Sequence, residues 1–257
     1  MRNKIILVTL ILATSLFTKA QLYLGAKVGL NLANVTATFP ATAFNKKIGF
    51  NGGATLKYNF VNTFGLQMDL LYSQMGSQSK KVEKMDDGAG GVITTTTETI
   101  YDLSYLQVPL FVNWEIPIKS EKIVPYRYSE NIVSFHFYGG GFFGYALGNN
   151  ASTSVKNYTV DADKAATTVV SPKVSGTIKK FNKIDYGIAL GTGVSFNLSK
   201  IGKLTLDFRY LMGLSNFNSG KAIETIPLAK KYPVMTNKAP QIQIGYIHRI
   251  TKPKRWH

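Results

Sequence analysis

Cysteine is absent from the 257 residues, which excludes disulfides, thiolate metal sites and a lipid anchor on an N-terminal cysteine. Histidine is nearly absent. His136, His248 and His257 stand far apart without ligand spacing, so no metal and no cofactor are expected. Long apolar runs are lacking too. The one candidate, 5–17, is shorter than the ~20 residues of a membrane helix. It follows Arg2 and Lys4 and precedes Thr18, Lys19 and Ala20, the layout of a secretory leader cleaved after Ala20. Despite a net charge of +16, no dense basic run interleaves with aromatics, which argues against nucleic acid as a partner. Helical periodicity is equally hard to find.

What is present is period-2 alternation. In 47–60, Ile48, Phe50, Ala54, Leu56, Tyr58 and Phe60 share one parity, and Lys47, Gly49, Asn51, Gly53, Thr55 and Lys57 share the other. Successive strand side chains point to opposite faces, so this stretch has one greasy face and one small or polar face. The pattern predicts seven further strands, at 22–32, 64–75, 105–114, 132–147, 184–198, 203–214 and 238–250. The facing of 132–147 is the least defined. Pro109 interrupts nothing in the alternation around it, and a local bulge is expected there. Between the strands, 33–46, 76–96, 148–180 and 215–237 read as long loops, 115–131 as an intermediate connection, and 61–63 and 199–202 as tight turns.

Two observations put the greasy face outside. Connections after odd strands are long and those after even strands shorter, as in membrane barrels with long outer loops and short periplasmic turns. A soluble lipocalin-like barrel has no reason to sort its loops in this way. The opposite face carries Lys27, Lys57, Asp69, Asp185, Asp207, Arg209 and Arg249. In a dry core each charge costs several kcal/mol unless paired, on the order of the penalty for any buried ion. In a narrow lumen they can meet one another, and Lys57 and Asp69 fall at diagonal positions suited to a cross-strand pair. The fold class is therefore all-β, an eight-stranded antiparallel up-and-down transmembrane barrel with a polar lumen that side chains nearly fill.

The segments GAKVGLNLANV (25–35), YLQVPLFVNW (105–114), DYGIALGTGVSF (185–196) and LDFRYLMGLSN (206–216), taken in order, resemble the PorT-type outer-membrane β-barrel family of Gram-negative bacteria. The resemblance implies an eight-stranded outer-membrane barrel and little about activity. The basic segment 252–257 departs from the many such barrels that finish on an aromatic within the last strand.

Candidate chemistry is sparse. Ser134 with His136, or Ser195 with Asp185, could pair a nucleophile with a base, but serine lining a lumen is more often filler. Gly49, Gly53, Gly187, Gly191 and Gly193 alternate within strands with no helix following, which rules out a phosphate loop and gives them a steric role. The reading is a leader at 1–20, a barrel at 21–250 and a basic periplasmic tail at 251–257. The expected function is a non-enzymatic structural or interaction role through long extracellular loops. A narrow transport or secretion-accessory barrel stands as the alternative, and a lipid-modifying enzyme or a soluble binder is less favoured. Partners are outer-membrane lipid, lipopolysaccharide and other envelope proteins, with headgroup phosphates as counter-charges.

Overall fold

A computed structural model describes residues 21–37, 43–61, 63–86, 91–120, 131–160, 166–177, 181–198, 202–217 and 235–251. The segment 1–20, the tail beyond 251 and the connections at 121–130 and 218–234 lie outside the described residues.

Among the described residues ten strands follow one another: β1 (Gln21–Ala37), β2 (Ala43–Val61), β3 (Phe64–Asp86), β4 (Val92–Ser120), β5 (Asn131–Val160), β6 (Ala166–Val170), β7 (Val174–Thr177), β8 (Ile184–Leu198), β9 (Gly202–Gly213) and β10 (Met235–Arg249). Eight of them, β1–β5 and β8–β10, pair antiparallel with their neighbours, and the β4–β5 and β1–β10 pairings close the ring. Closure leaves no bare edge within the barrel, the condition for a sheet surrounded by hydrocarbon.

Alternation sets the facing. Along β9, Leu206 and Phe208 are 47% and 51% exposed, whereas the intervening Asp207 and Arg209 are buried. The same holds around the ring, with Leu24, Leu30, Phe50, Leu66, Leu110, Ile188 and Ile244 on the outside. A lipocalin-like arrangement has the opposite facing. The undecided 132–147 stretch resolves with Phe135, Phe137 and Phe143 outward and Ser134, His136, Tyr138 and Phe142 inward.

Three expectations need correction. The supposed loop 76–96 is mostly strand: β3 and β4 stay paired from Gly76↔Asp102 to Asp86↔Val92. The supposed loop 148–180 likewise contains the outer half of β5, paired with β4 as far as Val160↔Val92, with β6 and β7 added beside it. Apart from Ser77, Ser79 and Ser152, which are buried, the described side chains of these segments are at least partly exposed on both faces, so their Ser and Thr residues keep strand propensity without any apolar contrast to reveal the period. Shorter overruns of the same kind carry β1 to Ala37, start β2 at Ala43 and carry β4 to Ser120.

The third correction concerns Pro109. It stands opposite Phe142 with no break in register, and the β4–β5 ladder shifts instead at Leu147, between Tyr105↔Ala146 and Ser104↔Gly148, and again between Pro117 and Ser120. The missing N–H is absorbed on the other side, where the ladder to β3 passes from Met68↔Leu110 to Leu71↔Gln107 without the two intervening rungs.

Candidate functional site

The inward positions stack into layers across the lumen. At the periplasmic end, Glu115 of β4 accepts from two lysines, Lys57 Nζ of β2 at 3.0 Å and Lys203 Nζ of β9 at 2.5 Å. Lys203 also lies 5.3 Å from the centre of the Tyr23 ring. The diagonal Lys57–Asp69 pair expected from the hairpin is not made, because Glu115 offers Lys57 a closer carboxylate. Neither Glu115 nor Lys203 stands out in the sequence. Each nevertheless continues the inward parity of its strand, and extending the alternation of 105–113 by one step reaches Glu115.

The next layer holds Lys27, Asp207, His136 and Ser195. Lys27 Nζ donates to Asp207 at 2.9 Å, and Thr205 Oγ1 donates to the same carboxylate at 3.1 Å. His136 Nε2 lies 2.6 Å from the other oxygen of Asp207, and its Nδ1 lies 2.9 Å from Ser195 Oγ. A carboxylate only accepts, so the ring donates from Nε2; in the neutral ring Nδ1 then accepts the Ser195 hydroxyl. Gly193 permits this placement, since a side chain there would collide with the imidazole.

Neither nucleophile–base pairing expected from the sequence forms. His136 turns from Ser134 to Ser195, and the acid beside it is Asp207, not Asp185. The resulting serine, histidine and aspartate are mounted the other way round from a hydrolase triad, in which the acid holds Nδ1 and the hydroxyl meets Nε2. Ser195 is fully buried. Beside it lies a cavity of about 10 Å³, lined by Lys27, Thr55, Gln67 and Asn113 among others, room for about one water molecule.

Above this layer, Arg209 is completely buried and donates through Nη2 to Asp69 at 2.7 Å. Its guanidinium lies 4.6 Å from the Phe111 ring centre and 5.4 Å from that of Tyr138, beside two rings that meet edge to face with their centres 4.9 Å apart. Asp69 also accepts from Thr55 Oγ1 at 2.6 Å and Gln67 Nε2 at 2.9 Å. Higher still, Asn31, Asn51, Ser73 and Gln243 form an uncharged chain of hydrogen bonds.

Asp185 stands apart from the other charges, near the extracellular end. It accepts from Ser215 Oγ at 2.5 Å and Asn237 Nδ2 at 2.8 Å, and no described cation pairs with it. Arg249 is half-buried at the periplasmic rim, opposite Tyr23. The predicted charge set therefore divides into two joined pairs, Lys27–Asp207 and Asp69–Arg209, with Lys57 drawn to Glu115 and the remaining two elsewhere.

An apolar cluster also fills part of the outer mouth. Val35, Met75, Leu103, Leu211, Phe217 and Ala239 are buried there, with Phe181 and Met235 packed against them. Beside this cluster the pairing of β8, β9 and β10 runs on past the strand ends, as Phe217 N–H donates to Met235 O at 3.1 Å and Asn182 N–H to Phe217 O at 2.8 Å. On the flank, Lys47 pairs with Asp102 where β2 and β4 emerge from the apolar band.

Among solved structures, the chain is similar to Ail, the attachment invasion locus protein of Yersinia pestis. Identity is 13% and the TM-score 0.35, covering 88% of this chain and 97% of that one. It is also similar to Neisserial surface protein A, at 11% identity and TM-score 0.38, over 88% and 97% of the two chains. OprG from Pseudomonas aeruginosa matches at 10% identity and TM-score 0.42, over 91% and 97%. No curated protein matches the chain. The family profile described as outer membrane protein beta-barrel domain matches residues 17–219, most of the chain and all but the last strand of the barrel, and the protein belongs to that family.

Proposed function

We propose that the protein is a non-enzymatic, closed outer-membrane barrel of the PorT type that serves as a rigid mount for an extracellular sheet, the sheet being the part that contacts partners. The observation that carries this is the continuation of β3, β4 and β5 beyond the apolar band. From Gly76 to Asp86, β3 runs on for roughly 33 Å of strand, still paired to β4, and exposes Val82, Met85, Val92 and Tyr158 on the projecting part. A barrel that only spanned the membrane has no use for such an extension. The reading includes a leader at 1–20 cleaved after Ala20, a barrel at 21–250 and a basic periplasmic tail at 251–257. Lipopolysaccharide and other envelope proteins are the partners within reach of the sheet.

The layered lumen favours this reading over transport, because ion pairs and the apolar cluster occupy successive cross-sections. In planar bilayers the purified protein is expected to show no unitary conductance. Joining Ser77 directly to Tyr101, which face each other across the hairpin, is expected to leave heat-modifiable assembly intact, and a photo-cross-linking probe at Val82 of the full-length chain is expected to form cross-links on cells. Conductance steps, or an absence of cross-links in the full-length chain, contradict the proposal.

One observation favours a second reading, lipid hydrolysis, namely the contact of Ser195, His136 and Asp207. The burial of Ser195 opposes it. Labelling of Ser195 by a fluorophosphonate probe in the folded protein would decide for the enzyme.

A further inference from the structure

The lipid-facing positions of β5 run Phe135, Phe137, Gly139, Gly141, Phe143, Tyr145, two consecutive glycines among large apolar side chains. Their neighbours across the ladders are also large. Gly139 lies between Val112 and Leu190, and Gly141 between Leu110 and Ile188. The result is a notch of about 320 Å³ on the outside of the barrel, lined by Val112, Trp114, Phe137, Tyr138, Gly139 and Leu190.

The barrel itself does not require glycine at either position. A side chain at the lumen-facing Gly140 would run into the backbone of Leu110 and Phe111. At Gly139 the first added carbon would meet only the tip of Leu190, at 2.9 Å, and at Gly141 nothing nearer than the Gly187 carbonyl oxygen at 3.5 Å. Smooth closure therefore explains Gly140 but not the two glycines beside it.

The geometry points to a seat for one acyl chain of a membrane phospholipid in this notch. The notch is continuous with the lipid-contacting band, and its only polar side chains are the Trp114 indole and Tyr138, which is buried on the lumen side with its ring near Arg209. Its floor spans two strand spacings, about 10 Å between the backbones of β4 and β8, a slot for a hydrocarbon tail. Trp114 is paired with Phe64 beside the β2–β3 turn, at the periplasmic end where aromatic side chains meet headgroups. The chain thus enters from the inner leaflet past Trp114 and ends near Gly141.

Native mass spectrometry of the full chain, reconstituted with palmitoyl-oleoyl phosphatidylethanolamine and transferred to a mild detergent, tests this. The wild type is expected to retain one phospholipid. Gly139→Leu removes contact with about two methylenes and should lower its occupancy about tenfold. Ala54→Leu, equally lipid-facing but on β2, should leave occupancy unchanged. Gly141→Val gives the same readout if the first variant assembles poorly. Equal occupancy in wild type and notch-filled variants, equal loss in A54L, or a dimer that only the notch-filled variants lose, overturns the proposal; the last result would assign the notch to a second copy.

Discussion

Lys27 and Asp207 lie 180 residues apart in the chain and 2.9 Å apart in the lumen, joining β1 to β9 across the strand that separates them. Both are almost wholly screened from solvent. Removing one partner leaves a buried charge without its counterpart, which costs about 3–5 kcal/mol, whereas replacing both with apolar groups is far less damaging. Lys27→Met or Asp207→Leu alone should therefore destabilise the barrel by about that amount. The double variant should recover most of the loss. Urea unfolding of the reconstituted protein reads both, and additive losses would mean that the two side chains act independently.

Asp185 behaves differently because it has neutral donors, Ser215 and Asn237, in place of a cation. Asp185→Asn strands no positive charge, and its effect on unfolding should stay within about 1 kcal/mol, the scale of a neutral hydrogen bond. Asp69→Asn, which deprives the buried Arg209 of its carboxylate, should cost about 3 kcal/mol or more. Equal losses in the two variants would contradict the division of the lumen charges drawn above.

The projecting part of β3 and β4 can be told from a loop by hydrogen exchange. Amides of 78–84 and 94–100 belong to a continuous antiparallel ladder and should exchange much more slowly than unpaired backbone. Exchange at unprotected rates throughout both segments would restore the loop reading.

Legibility in the sequence followed physical contrast. Where one face of a strand meets hydrocarbon and the other the lumen, as in Leu204–Leu206–Phe208 against Thr205–Asp207–Arg209, the period is plain and the strand is placed within a few residues. Where both faces meet water, as in Thr94–Thr97, the same backbone leaves no pattern. The lumen charges were legible as a set, because they share a parity, but their partners were not. Pairing depends on how the ring closes and on the tilt that brings β2, β4 and β9 together at Glu115. No local spacing encodes that. His136 was hidden for a related reason: its strand carries aromatics on both faces, Phe135 and Phe137 outside and Tyr138 inside, so its inward facing could not be read before the ladder to β8 was known.

The outward facing of the apolar side chains is also open to charge insertion. A lysine at Leu206 or Ile188, both lipid-facing, should cost about 2–4 kcal/mol near mid-bilayer and suppress assembly. Normal heat-modifiable mobility for both variants would argue against lipid at those positions.

The most direct test exploits the absence of native cysteine. Single cysteines at Leu206, Ile188 and Ile244, spin-labelled in lipid bilayers, are compared with one at Thr205, whose side chain is buried on the lumen face. The three outward labels are expected to be accessible to dissolved oxygen and shielded from a water-soluble nickel chelate, while the Thr205 label is shielded from oxygen. Labels at Leu206, Ile188 and Ile244 that are reached by the chelate, or immobilised beyond the reach of oxygen, would contradict the account.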